Sequence, residues 1–283
     1  MTLRYGSVCS GIEAATVAWH ALGWEPAFFS EIEAFPRAVL AHHYPEVPCH
    51  GDFTSIRAGE YGPVDLLVGG TPCQSFSVGG GRLGLDDPRG NLAIEYVALA
   101  KRLDVTWFLF ENVPGLLSSD RGRDFGALLG IMGECGYGVA YRVLDARGFN
   151  HSDQPRPRLF VVGYRGDWRR AAAVLFDGPG VAWDLAEKAS AAPVLTRKGA
   201  MALDDRTPCI LVDGRARIAT PVEHERAFGF PDNYTLVPYR GRLAADGPRF
   251  KSLGNSMDVH VVRWIGQRIA MVEALSSISE AAE

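Results

Sequence analysis

A chain of 283 residues with 47% hydrophobic and 22% charged side chains has the make-up of an ordinary globular protein, with length for one large core and a smaller attachment. Nothing in it approaches the ~20 consecutive apolar residues of a membrane helix, and the opening MTLRYGSVCSG lacks a basic segment followed by an apolar one, so neither a membrane span nor a secretory signal is expected. The net charge of −4 is unevenly spread, with 9 Lys and Arg against 16 Asp and Glu in residues 1–140 and 20 against 17 in residues 141–283, which leaves room for a local basic face.

The elements alternate along the first two-thirds of the chain. Tyr5–Cys9 reads as a strand, Glu13–Leu22 as a helix stopped at Gly23, Pro26–Ser30 as a second strand and Ala34–His43 as a second helix. Asp52 ends the next candidate strand. Val64–Val68 and Thr106–Phe110 (TWFLF) are apolar enough to be buried strands, and helices are expected over Asn91–Arg102 and Phe125–Met132. Alternating strands and helices predict a doubly wound, mostly parallel α/β sheet. Gly138–Leu144 and Leu159–Tyr164, with no full helix between them, predict an antiparallel hairpin at the sheet edge.

Beyond Tyr164 the periodicity weakens. Residues 166–220 are rich in Gly, Pro, Ala and Arg, with Ile210–Val212 the one firm strand. A short helix follows from Pro221 to Gly229, then a loop to about Gly254 and a final helix over Val259–Leu275. The expected organisation is a main domain over 1–165, completed by 251–283, and a small irregular domain over 166–250. Arginines gather at Arg156, Arg158, Arg165, Arg169 and Arg170, and again at Arg240, Arg242 and Arg249 beside Lys251.

The five cysteines, Cys9, Cys49, Cys73, Cys135 and Cys209, are odd in number and include no CxxC pair. That argues against a disulfide framework or zinc knuckle and suits a reducing cytoplasm. His42, His43, Cys49 and His50 match no standard ligand spacing, so no metal is expected.

In an open parallel sheet, ligands bind beyond the carboxyl ends of the strands. The first expected strand runs into Cys9-Ser10-Gly11-Ile12-Glu13, a turn at a helix start. The second ends at Glu31, about 20 residues after the glycine turn, where an acid accepts from ribose hydroxyls. With Asp52, these point to an adenosine-containing cofactor, although Gly11 also fits a plain strand end and Leu92 a core position. Gly69-Gly70-Thr71-Pro72-Cys73 bends and projects a thiol where packing residues would be expected around a structural cysteine, so Cys73 is a candidate nucleophile. The next strand ends at Glu111, whose carboxyl, following TWFLF, is placed to be desolvated and protonated near neutral pH.

GTPCQSF (70–76), ENV (111–113), QPRPR (154–158) and RFKSLGNSM (249–257), in that order, resemble the motifs of DNA cytosine-5 methyltransferases of the compact bacterial and phage type, across nearly the whole chain. The resemblance implies a Rossmann-like fold that uses S-adenosylmethionine, 166–250 as a small target-recognition domain, and methylation of cytosine C5 in double-stranded DNA after the base is flipped out. Cys73 would add to C6, Glu111 would hold and protonate N3, Arg158 would contact the base, and Arg156 would lie nearer a backbone phosphate. Gln74, Ser75 and Gln154 would contact substrate, and residues 74–90 would form a loop closing over the base. For the cofactor, Glu31 would take the ribose and Asp52 the adenine amino group; Cys9, Gly11 and Ile12 form the first loop, and Pro72, Leu92, Asn255 and Ser256 line the methionine side.

The chain also departs from the family pattern. SVCSGIEA (7–14) lacks the leading acid and paired glycines, Asn150-His151-Ser152-Asp153 stands where a Gly-Val-Pro turn is common, and Val222 and Ala227-Phe228 replace an arginine and a Leu-Gln pair. The short stretch between Arg165 and Arg217 predicts a short or relaxed recognition sequence. The alternatives are RNA (tRNA) cytosine-5 methylation, transfer of a modified group from an altered sulfonium cofactor, and a catalytically silent DNA-binding regulator. A cytoplasmic monomer, bacterial or in a phage-infected host, is expected.

Overall fold

A computed structural model describes residues 2–72, 92–149, 155–176, 209–212 and 215–280, with the backbone alone at 209–212, 215–216 and 276–280. The apolar runs become strands β1 (Arg4–Val8), β2 (Glu25–Ser30), β3 (Cys49–His50), β4 (Leu66–Gly69) and β5 (Trp107–Asn112), followed by β6 (Tyr137–Asp145) and β7 (Pro157–Arg165). They form one seven-stranded sheet in the order β3-β2-β1-β4-β5-β7-β6. All neighbours are parallel except β7, which runs antiparallel to both β5 and β6. The expected hairpin is therefore present, but its second strand slots in beside β5 and leaves β6 as the edge.

Side chains alternate across a strand, and the two central strands show what that does. Leu66, Val68, Trp107 and Leu109 join the core on one face, while Leu67, Phe108 and Phe110 join the core on the other. Both faces are covered, so β4 and the first four residues of β5 read as unbroken apolar runs. The first face is packed by α1 (Ala14–Trp19), by α5 (Trp168–Leu175) and by α8 (Val259–Glu280), whose buried residues Val262, Ile265 and Ile269 lie in that cluster. The second face is packed by α3 (Leu92–Arg102) and α4 (Arg123–Glu134). Helix α2 (Ala34–His43) buries Phe35 and Val39 on the first side.

Close approach of α8 to α1 depends on Gly266. A Cβ there would meet the Trp19 indole nitrogen at 2.2 Å, and that nitrogen donates to the Val262 carbonyl at 2.9 Å. The expected helix over 13–22 is shorter than predicted: α1 ends at Trp19 and a 3-10 turn, His20–Leu22, leads to Gly23 at φ 68°.

Two helices lie in stretches where none was expected. In α5, Asp167 caps the Arg169 N–H at 2.9 Å and Ala171, Val174 and Leu175 are buried. Arg268 of α8 donates to the Ala173 carbonyl at 2.6 Å, so α5 is tied to the main core. The second, α7 (Asp246–Asn255), contains two glycines and a proline. Intrinsic propensity does not support it; buried Arg249, Ser252 and Leu253 do. Before it come the backbone pair β8 (Cys209–Val212) and β9 (Arg215–Ile218), then α6 (Pro221–Phe228), which opens with a capping box between Thr220 and Glu223. Phe228, Phe230, Tyr234, Val237 and Leu253 all enter the first-face core.

Candidate active site

The register of the parallel strands brings their ends to one rim. Val8 pairs with both Ser30 and Gly69, Ser30 with His50, and Gly69 with Phe110. The segments that follow, Cys9–Glu13, Glu31, Asp52, Gly70–Pro72 and Glu111, therefore leave the sheet on the same side.

The first loop turns through three left-handed residues, Cys9 (φ 48°), Gly11 (φ 55°) and Glu13 (φ 66°). It is pinned by Ser10, whose N–H donates to the Ser30 carbonyl at 3.0 Å and whose hydroxyl donates to the Ser7 carbonyl at 2.9 Å. Gly11 N–H donates to Glu31 Oε2 at 2.8 Å, and Glu33 N–H to Glu31 Oε1 at 2.7 Å. Each carboxylate oxygen thus has one acceptor site used and one left for a hydroxyl donor. Asp52 is exposed, with Oδ1 accepting from the Thr54 N–H and hydroxyl at 3.0 and 2.9 Å. Burial first, then the charges of Glu31 and Asp52, push the Cys9 thiol up to about 12, which disfavours the thiolate.

Ile12 is fully buried and its side chain belongs to the core, so only its main chain faces the loop. Tyr234 OH holds its carbonyl at 2.9 Å. Pro72 is exposed at the rim and Leu92 is half-buried against the α3 side. At the end of α7, Asn255 is exposed while Ser256 is buried, its hydroxyl donating to the Met257 carbonyl at 2.9 Å.

Glu111 sits near the end of β5 opposite Phe160 of β7. Its Oε1 lies 3.1 Å from Arg158 Nε, two residues along β7 on the same face. Burial raises the Glu111 carboxyl, Arg158 and then Arg156 oppose it, and the net direction is up. On the other side is Gly70, where a Cβ would meet Glu111 Oε2 at 2.6 Å. Next to it, Asn112 Nδ2 donates to the Thr71 carbonyl at 3.2 Å while its Oδ1 accepts from Val113 N–H at 2.8 Å. The segment leading to Cys73 is thereby stitched to the strand that carries the acid.

Arg156 is 5% exposed. Its Nη2 donates to the Gly254 and Ser256 carbonyls at 3.0 and 2.6 Å, and its guanidinium lies over the Phe228 ring, 4.7 Å from the centroid. In this structure the side chain serves the end of α7, not the exposed surface where a phosphate would approach. Cys73, Gln74, Ser75 and Gln154 lie outside the described residues.

Several contributors were not legible beforehand. In the sequence Gly70 looks like a turn residue opening the GTPCQSF motif, and the Asn112 brace is hidden beside the glutamate of ENV. Phe228, noted as a departure, is the platform under Arg156. Among the described residues, no three His, Cys, Asp or Glu gather as a metal site, and no described helix is long and apolar enough to cross a membrane.

A mostly parallel sheet with one antiparallel strand and a ligand rim at its carboxyl ends is the fold of S-adenosylmethionine-dependent methyltransferases. Over 95% of its length the chain superposes on DNMT2 of Spodoptera frugiperda, covering all of that chain, with a TM-score of 0.74 at 17% identity. Over 96% it superposes on a putative DNA modification methyltransferase of an Escherichia coli prophage, again covering all of it, with a TM-score of 0.68 at 16% identity.

Residues 3–188 match the model of the C-5 cytosine-specific DNA methylases, and the chain belongs to that family. Among curated relatives, a protein of Escherichia phage P1 named DNA N-6-adenine-methyltransferase is 30% identical over 94% of this chain and 61% of its own length. The Type II methyltransferase M2.BsuMI of Bacillus subtilis is 28% identical over 95% of this chain and 75% of its own. This chain spans less than two-thirds of the phage P1 relative, and its match to an orphan methyltransferase of Bacillus phage SPR covers 38% of that protein.

Proposed function

We propose that this chain methylates C5 of cytosine in duplex DNA by covalent catalysis on a flipped-out base. The reading rests on one juxtaposition: the Glu111 carboxyl, 3.1 Å from Arg158, stands beside Gly70, three residues ahead of Cys73. The Cys73 thiolate forms a bond to C6 as Glu111 passes its proton to N3, so the electrons of the C5–C6 double bond become available at C5. Burial keeps Glu111 protonated to higher pH than an ordinary glutamate, which suits an acid in this role. Arg158 orients that carboxyl and faces the same base. Loss of the C5 proton to a base then re-forms the C5–C6 double bond and expels Cys73 as thiolate, and N3 returns its proton to Glu111.

S-adenosylmethionine, when bound, supplies an electrophilic methyl group on a sulfonium, leaving as the neutral thioether when the methyl goes to C5. The donor set fits it: Glu31 keeps free acceptor sites for ribose hydroxyls, Asp52 is exposed for an amino group, and the Cys9–Glu13 turn leaves the neighbouring strand beside Glu31. Arg156 holds the Gly254 and Ser256 carbonyls on either side of Asn255, on the methionine side. Residues within 166–250 outside the shared core would read the target, and a monomer would suffice.

The name of the phage P1 relative raises methylation of adenine N6 as a second reading. An exocyclic amine is itself the nucleophile and needs no thiol, so Cys73 and Glu111 favour the cytosine reaction. The test is incubation with unmethylated duplex DNA, or tRNA in parallel, and methyl-labelled S-adenosylmethionine, using wild type and Cys73→Ala, followed by nucleoside analysis. Label on cytosine C5 of DNA that disappears in Cys73→Ala is expected. Label on adenine N6, or on tRNA alone, would overturn the assignment.

A further inference from the structure

We propose that Gly70 is a positioning residue for the Glu111 carboxyl, and that the missing side chain at position 70 sets where the proton-donating group stands. The inference rests on the cytosine reading of Glu111 and adds a role for Gly70 toward that carboxyl. Glu111 is held from two sides. On one, Arg158 Nε lies 3.1 Å from Oε1. On the other, the Gly70 backbone approaches so closely that a Cβ would stand 2.6 Å from Oε2 and 3.2 Å from the Glu111 carbonyl oxygen. Cβ atoms are not found at 2.6 Å from a carboxylate oxygen, so even alanine must displace the carboxyl, the strand end, or both.

The strand end is not free to move. β4 and β5 are in register up to Gly69 and Phe110, and the Asn112 side chain bridges to the Thr71 carbonyl immediately beyond. A Cβ at Gly69, the preceding residue, would already stand 2.4 Å from the Val8 carbonyl oxygen. With backbone anchored on both flanks, the carboxyl yields. It can swing only by bending its contact with Arg158 or by tilting away from the base.

A displacement of about 1 Å at a reacting group costs on the order of 10²-fold in rate. Gly70→Ala should therefore lower kcat by about that factor. It should leave KM for S-adenosylmethionine and the Kd for S-adenosylhomocysteine, measured by calorimetry, within about twofold. A crystal structure of the variant should show the Glu111 carboxyl shifted relative to Arg158.

The decisive comparison is a double-mutant cycle with Glu111→Asp, which withdraws the carboxyl from position 70 by one methylene. If the clash is the cause, Gly70→Ala costs several-fold or less in the Glu111→Asp background, against about 10²-fold in wild type. Equal costs in the two backgrounds would overturn the proposal, as would an unmoved carboxyl in the crystal structure. Should Gly70→Ala alone fail to fold, folding restored in Gly70→Ala/Glu111→Asp supports it, and failure of both variants overturns it. Failure of the underlying reading has its own signature: Glu111→Gln would methylate C5 at the wild-type rate.

Discussion

Replacing Glu13 by glutamine should change how the stability of this protein depends on pH. Glu13 is 1% exposed and caps α1 from a left-handed backbone. Its Oε1 accepts from the Thr16 N–H and hydroxyl, both at 3.2 Å, while the buried Oε2 has no hydrogen-bond partner among the described residues. Burial pushes the carboxyl up to about 7, against the opposing influence of the nearby Ser7 side chain and the Thr16 hydrogen bonds.

An unfolded glutamate releases its proton near pH ~4.3. Between that value and about 7 the folded protein holds a proton that the unfolded chain has lost, so stability falls as pH rises across this window and levels off above it. Each pH step is worth up to ~1.4 kcal/mol, so the full loss is on the order of 3 kcal/mol. Glutamine keeps an acceptor for Thr16, carries no charge and has a pH-independent cost of its own. Urea denaturation of both proteins from pH 4.5 to 8.5 isolates the effect. The stability difference should swing by roughly 2–3 kcal/mol in favour of Glu13→Gln as pH rises, about 5–10 °C in Tm for a chain of this size. A difference that stays flat with pH refutes the reasoning, since it would mean that Glu13 is ionised in the folded state as readily as in the unfolded.

Other expectations follow from neighbouring contacts. Gly266→Ala, whose Cβ would meet Trp19 Nε1 at 2.2 Å, should cost about 1–3 kcal/mol by overpacking, read as a lower denaturation midpoint. The Glu225–Arg249 pair, 3.1 Å apart and buried on both sides, predicts that Arg249→Met costs ~3–5 kcal/mol by stranding a charge, and that Glu225→Leu/Arg249→Met recovers most of it. Arg156→Met removes the donors to Gly254 and Ser256. It should weaken S-adenosylhomocysteine binding roughly tenfold by calorimetry, while the salt slope of DNA binding stays put, because a protein carbonyl contact releases no counterion. Arg158 lowers the Glu111 carboxyl, so Arg158→Gln should move the alkaline limb of the kcat–pH profile to higher pH; a limb that stays or moves down would contradict the assignment of that limb to Glu111.

Local chemistry alone determined much of this protein. Apolar runs specify β4 and the first four residues of β5 because burial on both faces leaves no polar position there. The acids at strand ends could be placed on one rim because parallel crossovers return every strand in the same direction. Tertiary structure decided what depends on distant partners. Helix α7, poor in intrinsic propensity, exists because Arg249 finds Glu225, 24 positions away. Arg156 serves the end of α7 because folding brings carbonyls about 100 positions away within hydrogen-bond reach. The tight fit at Gly70 arises because a neighbouring strand sets the Glu111 carboxyl where a side chain would be. Spacing in a sequence records what a segment needs for itself. Which of two polar partners a buried group finds, and how close two backbones come, are settled only when the core closes and every buried donor, acceptor and volume must be matched at once.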